Sequence, residues 1–145
     1  MLRIGWKPAK PSVITLADRA RDARHWHLAA AHYQKALRRN PCNPPIWVQY
    51  GHVLREAGRL AEAEAAYRMA LVYDPRSADS HLQLGATLKL QGKREQAEAA
   101  YLRAVALAHT TSGLSLELSL LGWSKAHLSE LQEIIRLMRL ALKEG

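Results

Sequence analysis

The chain of 145 residues is poor in the groups on which whole classes of activity depend. It has a single cysteine, Cys42. A lone thiol closes no internal disulfide and has no companion ligands at metal-like spacing, which excludes a disulfide scaffold and fits a reducing compartment. Charge interrupts every apolar stretch before it reaches the roughly 18 residues of a membrane span, so no helix is expected to cross a bilayer. The basic N-terminus, Met1-Leu2-Arg3-Ile4-Gly5-Trp6-Lys7-Pro8, is followed by neither an apolar core nor a small-residue cleavage site. No secretory signal is read there, and a cytoplasmic location is the expectation. Catalytic signatures are missing too: there is no phosphate-binding glycine loop ending in Lys-Ser/Thr, no His-Glu-x-x-His and no Gly-x-Ser-x-Gly. No catalysis and no cofactor are expected.

Acidic residues are also scarce, 13 against 21 Lys and Arg, for a formal charge of +8. The excess is local. Residues 1–43 hold nine basic and two acidic groups, 44–77 four and four, 78–111 four and three, and 112–145 four and four. A protein that tracks phosphates needs basic residues along its whole binding face, so nucleic acid is not the expected partner. The basic end is read as a solvated surface that could also steer an acidic partner. The seven histidines suggest a metal only superficially. Of His25, His27 and His32, the first two stand two apart and cannot share a helix face, so no metal site is expected.

What the chain does have is a period. Trp47, Tyr50, Gly51, Leu54, Gly58, Ala63, Tyr67 and Ala70 recur at a constant interval as His81, Leu84, Gly85, Leu88, Gly92, Ala97, Tyr101 and Ala104. A fainter copy precedes them: Ala29, Tyr33, Ala36 and Pro41 match the second half of the unit, and Val13, Leu16, Ala17 and Ala20 loosely match the first. Within a unit the apolar positions recur every three or four residues, the pattern of two amphipathic helices of about a dozen residues each. Gly51 and Ala63 are placed where the paired helices cross, with Tyr67 filling the space beside them. Asn43 before Pro44, and Ser77 before Ala78, are N-cap residues. Gly58 and Gly92 fall where a left-handed residue ends the first helix of a unit, and Pro41 and Pro75 close units. His81 replaces Trp47 and is read as a packed side chain. Trp26 is likewise read as packing.

This unit resembles the tetratricopeptide repeat (TPR), a helical hairpin of about 34 residues that stacks with its neighbours. The resemblance covers three units, 10–43, 44–77 and 78–111, after a basic segment 1–9. It implies an all-α fold, a right-handed α-solenoid of helix-turn-helix hairpins. Segment 112–145 departs from the pattern: Leu131 stands where the repeat needs Ala63, and Ile135 where it needs Tyr67. Its apolar stripe, Leu128, Leu131, Ile135, Met138 and Leu142, suits a divergent helical cap over the last unit. Ile134, Leu137, Leu140 and Ala141 broaden that stripe beyond one seam, and they are the expected positions of self-association, as a homodimer, or of docking to a further domain.

The resemblance also implies a function. TPR proteins bind a peptide or helix of a partner on a concave face lined by the first helix of each unit. The corresponding positions are Ile14, Thr15, Asp18 and Arg21, then Val48, Gln49, His52 and Arg55, then Leu82, Gln83, Ala86 and Lys89. The Lys and Asn clamp by which some members hold a C-terminal carboxylate is not reproduced, because its positions read Ile14, Asp18, Gln49, Asp79 and Gln83. Gln49 and Gln83 instead form a spaced amide pair suited to peptide backbone. The expectation is a non-catalytic protein-interaction module. A regulatory or recruiting arm of a bacterial enzyme such as a glycosyltransferase is the alternative, and RNA binding a third, disfavoured by the near-neutral second and third units.

Overall fold

The computed structural model describes residues 5–107 and Arg136. The described residues form helices α1 (Val13–Asp22), α2 (Trp26–Arg39), α3 (Pro44–Glu56), α4 (Leu60–Tyr73), α5 (Ala78–Leu90) and α6 (Arg94–Leu107), with no strand among them. None of these helices is long and apolar enough to cross a membrane. The segment read as a cap, with Ile134, Leu137, Leu140 and Ala141, lies outside the described residues.

Helix boundaries follow local chemistry. The α1, α3 and α5 amides left without an intrahelical acceptor are met by side chains: Ser12 Oγ accepts from Thr15 N, Asn43 Oδ1 from Ile46 N and Ser77 Oγ from Ser80 N. At the other end of α3 and of α5 the chain turns through a left-handed residue, Gly58 at φ 78° and Gly92 at φ 75°. The amide after it bonds back across the turn, Arg59 N to Leu54 O and Lys93 N to Leu88 O. The first pair makes the same turn without glycine. Arg24 adopts φ 60°, and His25 N donates to Ala20 O at 2.8 Å.

Helices pack as consecutive pairs, α1 on α2, α3 on α4 and α5 on α6, and the pairs join through α2 on α3 and α4 on α5. Small residues permit the crossings. Ala29, Ala63 and Ala97, at one position of successive repeats, are fully buried, as are Tyr33, Tyr67 and Tyr101. Gly51 meets Tyr67 so closely that a Cβ there would stand 2.8 Å from the ring, and Gly85 meets Tyr101 in the same way at 2.9 Å. The loops between pairs are tied to the next helix. Trp47 Nε1 donates to Pro41 O at 2.6 Å, and His81 Nε2 lies 3.0 Å from Pro75 O. A histidine thus takes over the tryptophan's anchoring bond, which accounts for its place in the repeat.

Candidate functional site

Helices α1, α3 and α5 line one face of the stack, and eight side chains on it and beneath it enclose a cleft of about 530 Å³: Arg21, Val48, Gln49, His52, Arg55, Tyr67, Asp79 and Gln83. Six of these are positions that the repeat register assigns to the groove. A second cleft runs on from Val48, Gln49 and Asp79 to the N-terminal ends of α3 and α5, where Pro44, Pro45, Ser77 and Ser80 line it. Together they make an open channel across α1, α3 and α5, from the first pair to the third, longer than one side chain.

The remaining groove positions fall outside the clefts. Ile14 is exposed at 36% of its surface. The Thr15 hydroxyl sits 2.9 Å from Ser12 Oγ and belongs to the α1 cap. Asp18 lies beside Arg21 and is described below. Leu82, Ala86 and Lys89 are half-buried on α5, and Leu82 packs against the core. Tyr67 and Asp79 line the cleft outside those groove positions, Asp79 being one of the places where the clamp of some members would stand. Tyr67 reads in sequence as a core side chain, and it is one; what repetition does not show is that it also lines the cleft.

Arginine and glutamine link neighbouring pairs at two levels. Arg21 Nη1 donates to Gln49 Oε1 at 3.0 Å, and one repeat later Arg55 Nη1 donates to Gln83 Oε1 at 2.9 Å. The carbonyl halves of both amides are therefore used inside the protein. The amide nitrogens are the halves that a peptide could meet, and that of Gln83 stands 3.4 Å from Asp79 Oδ1.

The two levels differ in what surrounds the arginine. At the first, Asp18 Oδ1 accepts from Arg21 Nη1 at 3.2 Å and from the Tyr33 hydroxyl at 2.5 Å, and Arg21 Nη1 also lies 3.1 Å from that hydroxyl. Asp22 adds a second ion pair to Arg21 at 3.0 Å. At the second level His52 occupies the place of Asp18, and its ring meets Trp26 edge-on at 6.2 Å between centroids. Burial lowers the His52 pKa, and the Arg55 charge lowers it further, so the imidazole is neutral at pH 7. The Arg55 guanidinium lies 5.9 Å from the centroid of the Tyr67 ring. The Tyr67 hydroxyl is buried and has no hydrogen-bond partner. Burial pushes its pKa up to about 12, so it keeps its proton and remains a donor.

Among the described residues no three His, Cys, Asp or Glu side chains gather as metal ligands. Cys42 is exposed in the loop after α2.

The family described as the cilia and flagella-associated protein 70 middle TPR-like domain matches residues 13–134. No curated protein matches the chain. Among solved structures, the second TPR domain of human RPAP3 in complex with the HSP70 peptide SGPTIEEVD superposes with a TM-score of 0.73 at 15% identity, covering 78% of this chain and 94% of that one. The Arabidopsis OM64 TPR domain gives 0.70 at 17% identity, covering 75% of this chain and 90% of that one. The Yersinia enterocolitica type III secretion chaperone SycD, in complex with a peptide of the translocator YopD, gives 0.66 at 16%, covering 88% and 92%. At these identities the likeness concerns the fold.

Proposed function

Because the chain belongs to the family of the cilia and flagella-associated protein 70 middle TPR-like domain, we propose that it is a non-catalytic interaction module holding an extended segment of a partner protein across α1, α3 and α5. The observation that carries this reading is the channel itself, walled by polar side chains that recur at an interval of one repeat. Arg21–Gln49 and Arg55–Gln83 hold the amides in fixed orientation, which leaves the Gln49 nitrogen, and the N–H of Gln83 that Asp79 does not take, to donate to a peptide's carbonyl groups. Two structures of like fold, RPAP3 and SycD, were solved with peptides bound, which supports the mode of binding and leaves the object open.

The test uses peptides selected from a random library displayed on phage against the intact chain, with affinity read by fluorescence anisotropy. Replacing Gln49 and Gln83 together by alanine should weaken binding about tenfold, equivalent to about 1.4 kcal/mol, while a scrambled peptide stays unbound. Unchanged affinity in the double variant would remove the amides from the site.

A further inference from the structure

The first two levels of the groove are copies of one arrangement, and the second copy is incomplete. In the first, a carboxylate, Asp18, sits between a guanidinium, Arg21, and a buried phenol, Tyr33, and accepts from both. Moving on by one repeat keeps the guanidinium as Arg55 and the phenol as Tyr67, but puts His52 where the carboxylate was. The consequences are visible in the structure. Arg55 forms no ion pair among the described residues, and its hydrogen bond goes to the neutral amide of Gln83. Tyr67, which lines the cleft, keeps a buried hydroxyl without a partner. A buried donor left unpaired is costly, and a half-buried guanidinium with no anion is an unusual thing for a protein to maintain.

We propose that an acidic side chain of the bound peptide takes the place that Asp18 holds one level below, accepting from Arg55 and the Tyr67 hydroxyl. This rests on the peptide-groove reading and adds to it the chemistry of one ligand residue. A carboxylate shared by a guanidinium and a phenol forms charge-assisted bonds that a neutral amide does not match. The seat lies in the middle of the channel, which continues toward the N-terminal ends of α3 and α5, so the chemistry is that of a side chain within the peptide rather than of its terminus. Asp79 shares the same wall, bonded to Gln83 Nε2 at 3.4 Å, and disfavours a second acid at that end.

The experiment selects peptides on the intact chain from a random library and compares synthetic pairs by anisotropy. One Asp or Glu should recur at a constant position. Changing it to Asn or Gln should weaken binding about tenfold on the wild type, whereas amidating the peptide's C-terminus should change nothing. His52→Asp supplies an internal carboxylate as in the first level. It should weaken the acidic peptide and abolish its advantage over the amide peptide. Tyr67→Phe should reduce that advantage without displacing the neutral peptide. Acid and amide peptides binding the wild type alike, dependence on the C-terminus instead of the internal acid, or an acid preference that survives in His52→Asp would each overturn the proposal while leaving the groove reading intact. Failure to select any peptide would overturn the groove reading, and this proposal with it.

Discussion

Gly51 and Arg24 show how much a single backbone position decides here. At Gly51 an added methyl would stand 2.8 Å from Tyr67 Cε1 and 2.9 Å from Cζ, a separation that forces the buried ring or the helix to shift. Gly51→Ala should therefore destabilise the fold by about 1 to 3 kcal/mol, the cost of overpacking a filled crossing, as read from the urea midpoint. The first pair already carries Ala17 in the equivalent place, fully buried, so its crossing accommodates a methyl that the second does not. Arg24 is the converse. It is exposed and holds φ 60° in a turn that its two counterparts make with glycine. A left-handed conformation costs a residue with a Cβ roughly 1 to 2 kcal/mol, and the greater freedom of glycine in the unfolded chain offsets part of what removing that strain would gain. Arg24→Gly should thus stabilise by about 0.5 to 1 kcal/mol, while Gly58→Arg should destabilise by a similar amount, both read from the urea midpoint. Gly58 and Gly92 announced their turns in the sequence. Arg24 did not, because nothing in an arginine signals positive φ and the first unit matches the repeat too faintly in its first half to supply the register.

At the scale of elements, the junction between α4 and the α5–α6 turn is held by one carboxylate. Glu64 Oε1 accepts from Lys93 Nζ at 2.8 Å and Gln91 Nε2 at 3.0 Å, and its other oxygen accepts from Arg68 Nε at 2.9 Å. The Lys93 bond above all, with Arg68 and Gln91 outweighing partial burial, holds the Glu64 pKa at about 2 against an ordinary 4.5. A depressed carboxylate pKa means that the unfolded chain binds the proton more readily. Its stabilisation is therefore complete above pH 4.5 and is lost as pH falls toward 2. Glu64→Gln should cost about 1 to 2 kcal/mol at pH 7 and converge with the wild type near pH 2. A constant difference at every pH would mean that the charge is not the source. The helices and caps around this junction were legible, since Asn43, Ser77 and the repeat spacing mark ends and faces directly. The junction was not. Which donors reach Glu64 depends on the stagger of α4 against the following turn, and the first pair has Ala30 in that place, so repetition offered no hint. The groove was legible as a face for the same reason that its bonds were not. Helical phase puts Arg21, Gln49, Arg55 and Gln83 on one side, but only the distance between pairs shows that arginine and glutamine bond each other.

For the whole molecule, the consecutive pairing of helices makes stability a sum of pair terms and junction terms, because each pair packs on its neighbours in the stack. The two junctions are built differently. The first joins through Arg21 to Gln49 and the Trp26–His52 contact, the second through Arg55 to Gln83 and the Glu64 cluster. A change confined to one junction should then be felt on its own side. In native-state hydrogen exchange, Glu64→Gln should speed exchange in α5 and α6 several-fold more than in α1 and α2, at a pH where both proteins remain folded. Equal acceleration in all six helices would show that the stack opens only as a unit and that the junction terms are not separable. The distinction matters for binding as well. A peptide lying across α1, α3 and α5 spans both junctions, so if the pairs can loosen separately, binding should protect α5 and α6 in the Glu64→Gln protein more than in the wild type. The ligand would be restoring a coupling that the substitution had weakened.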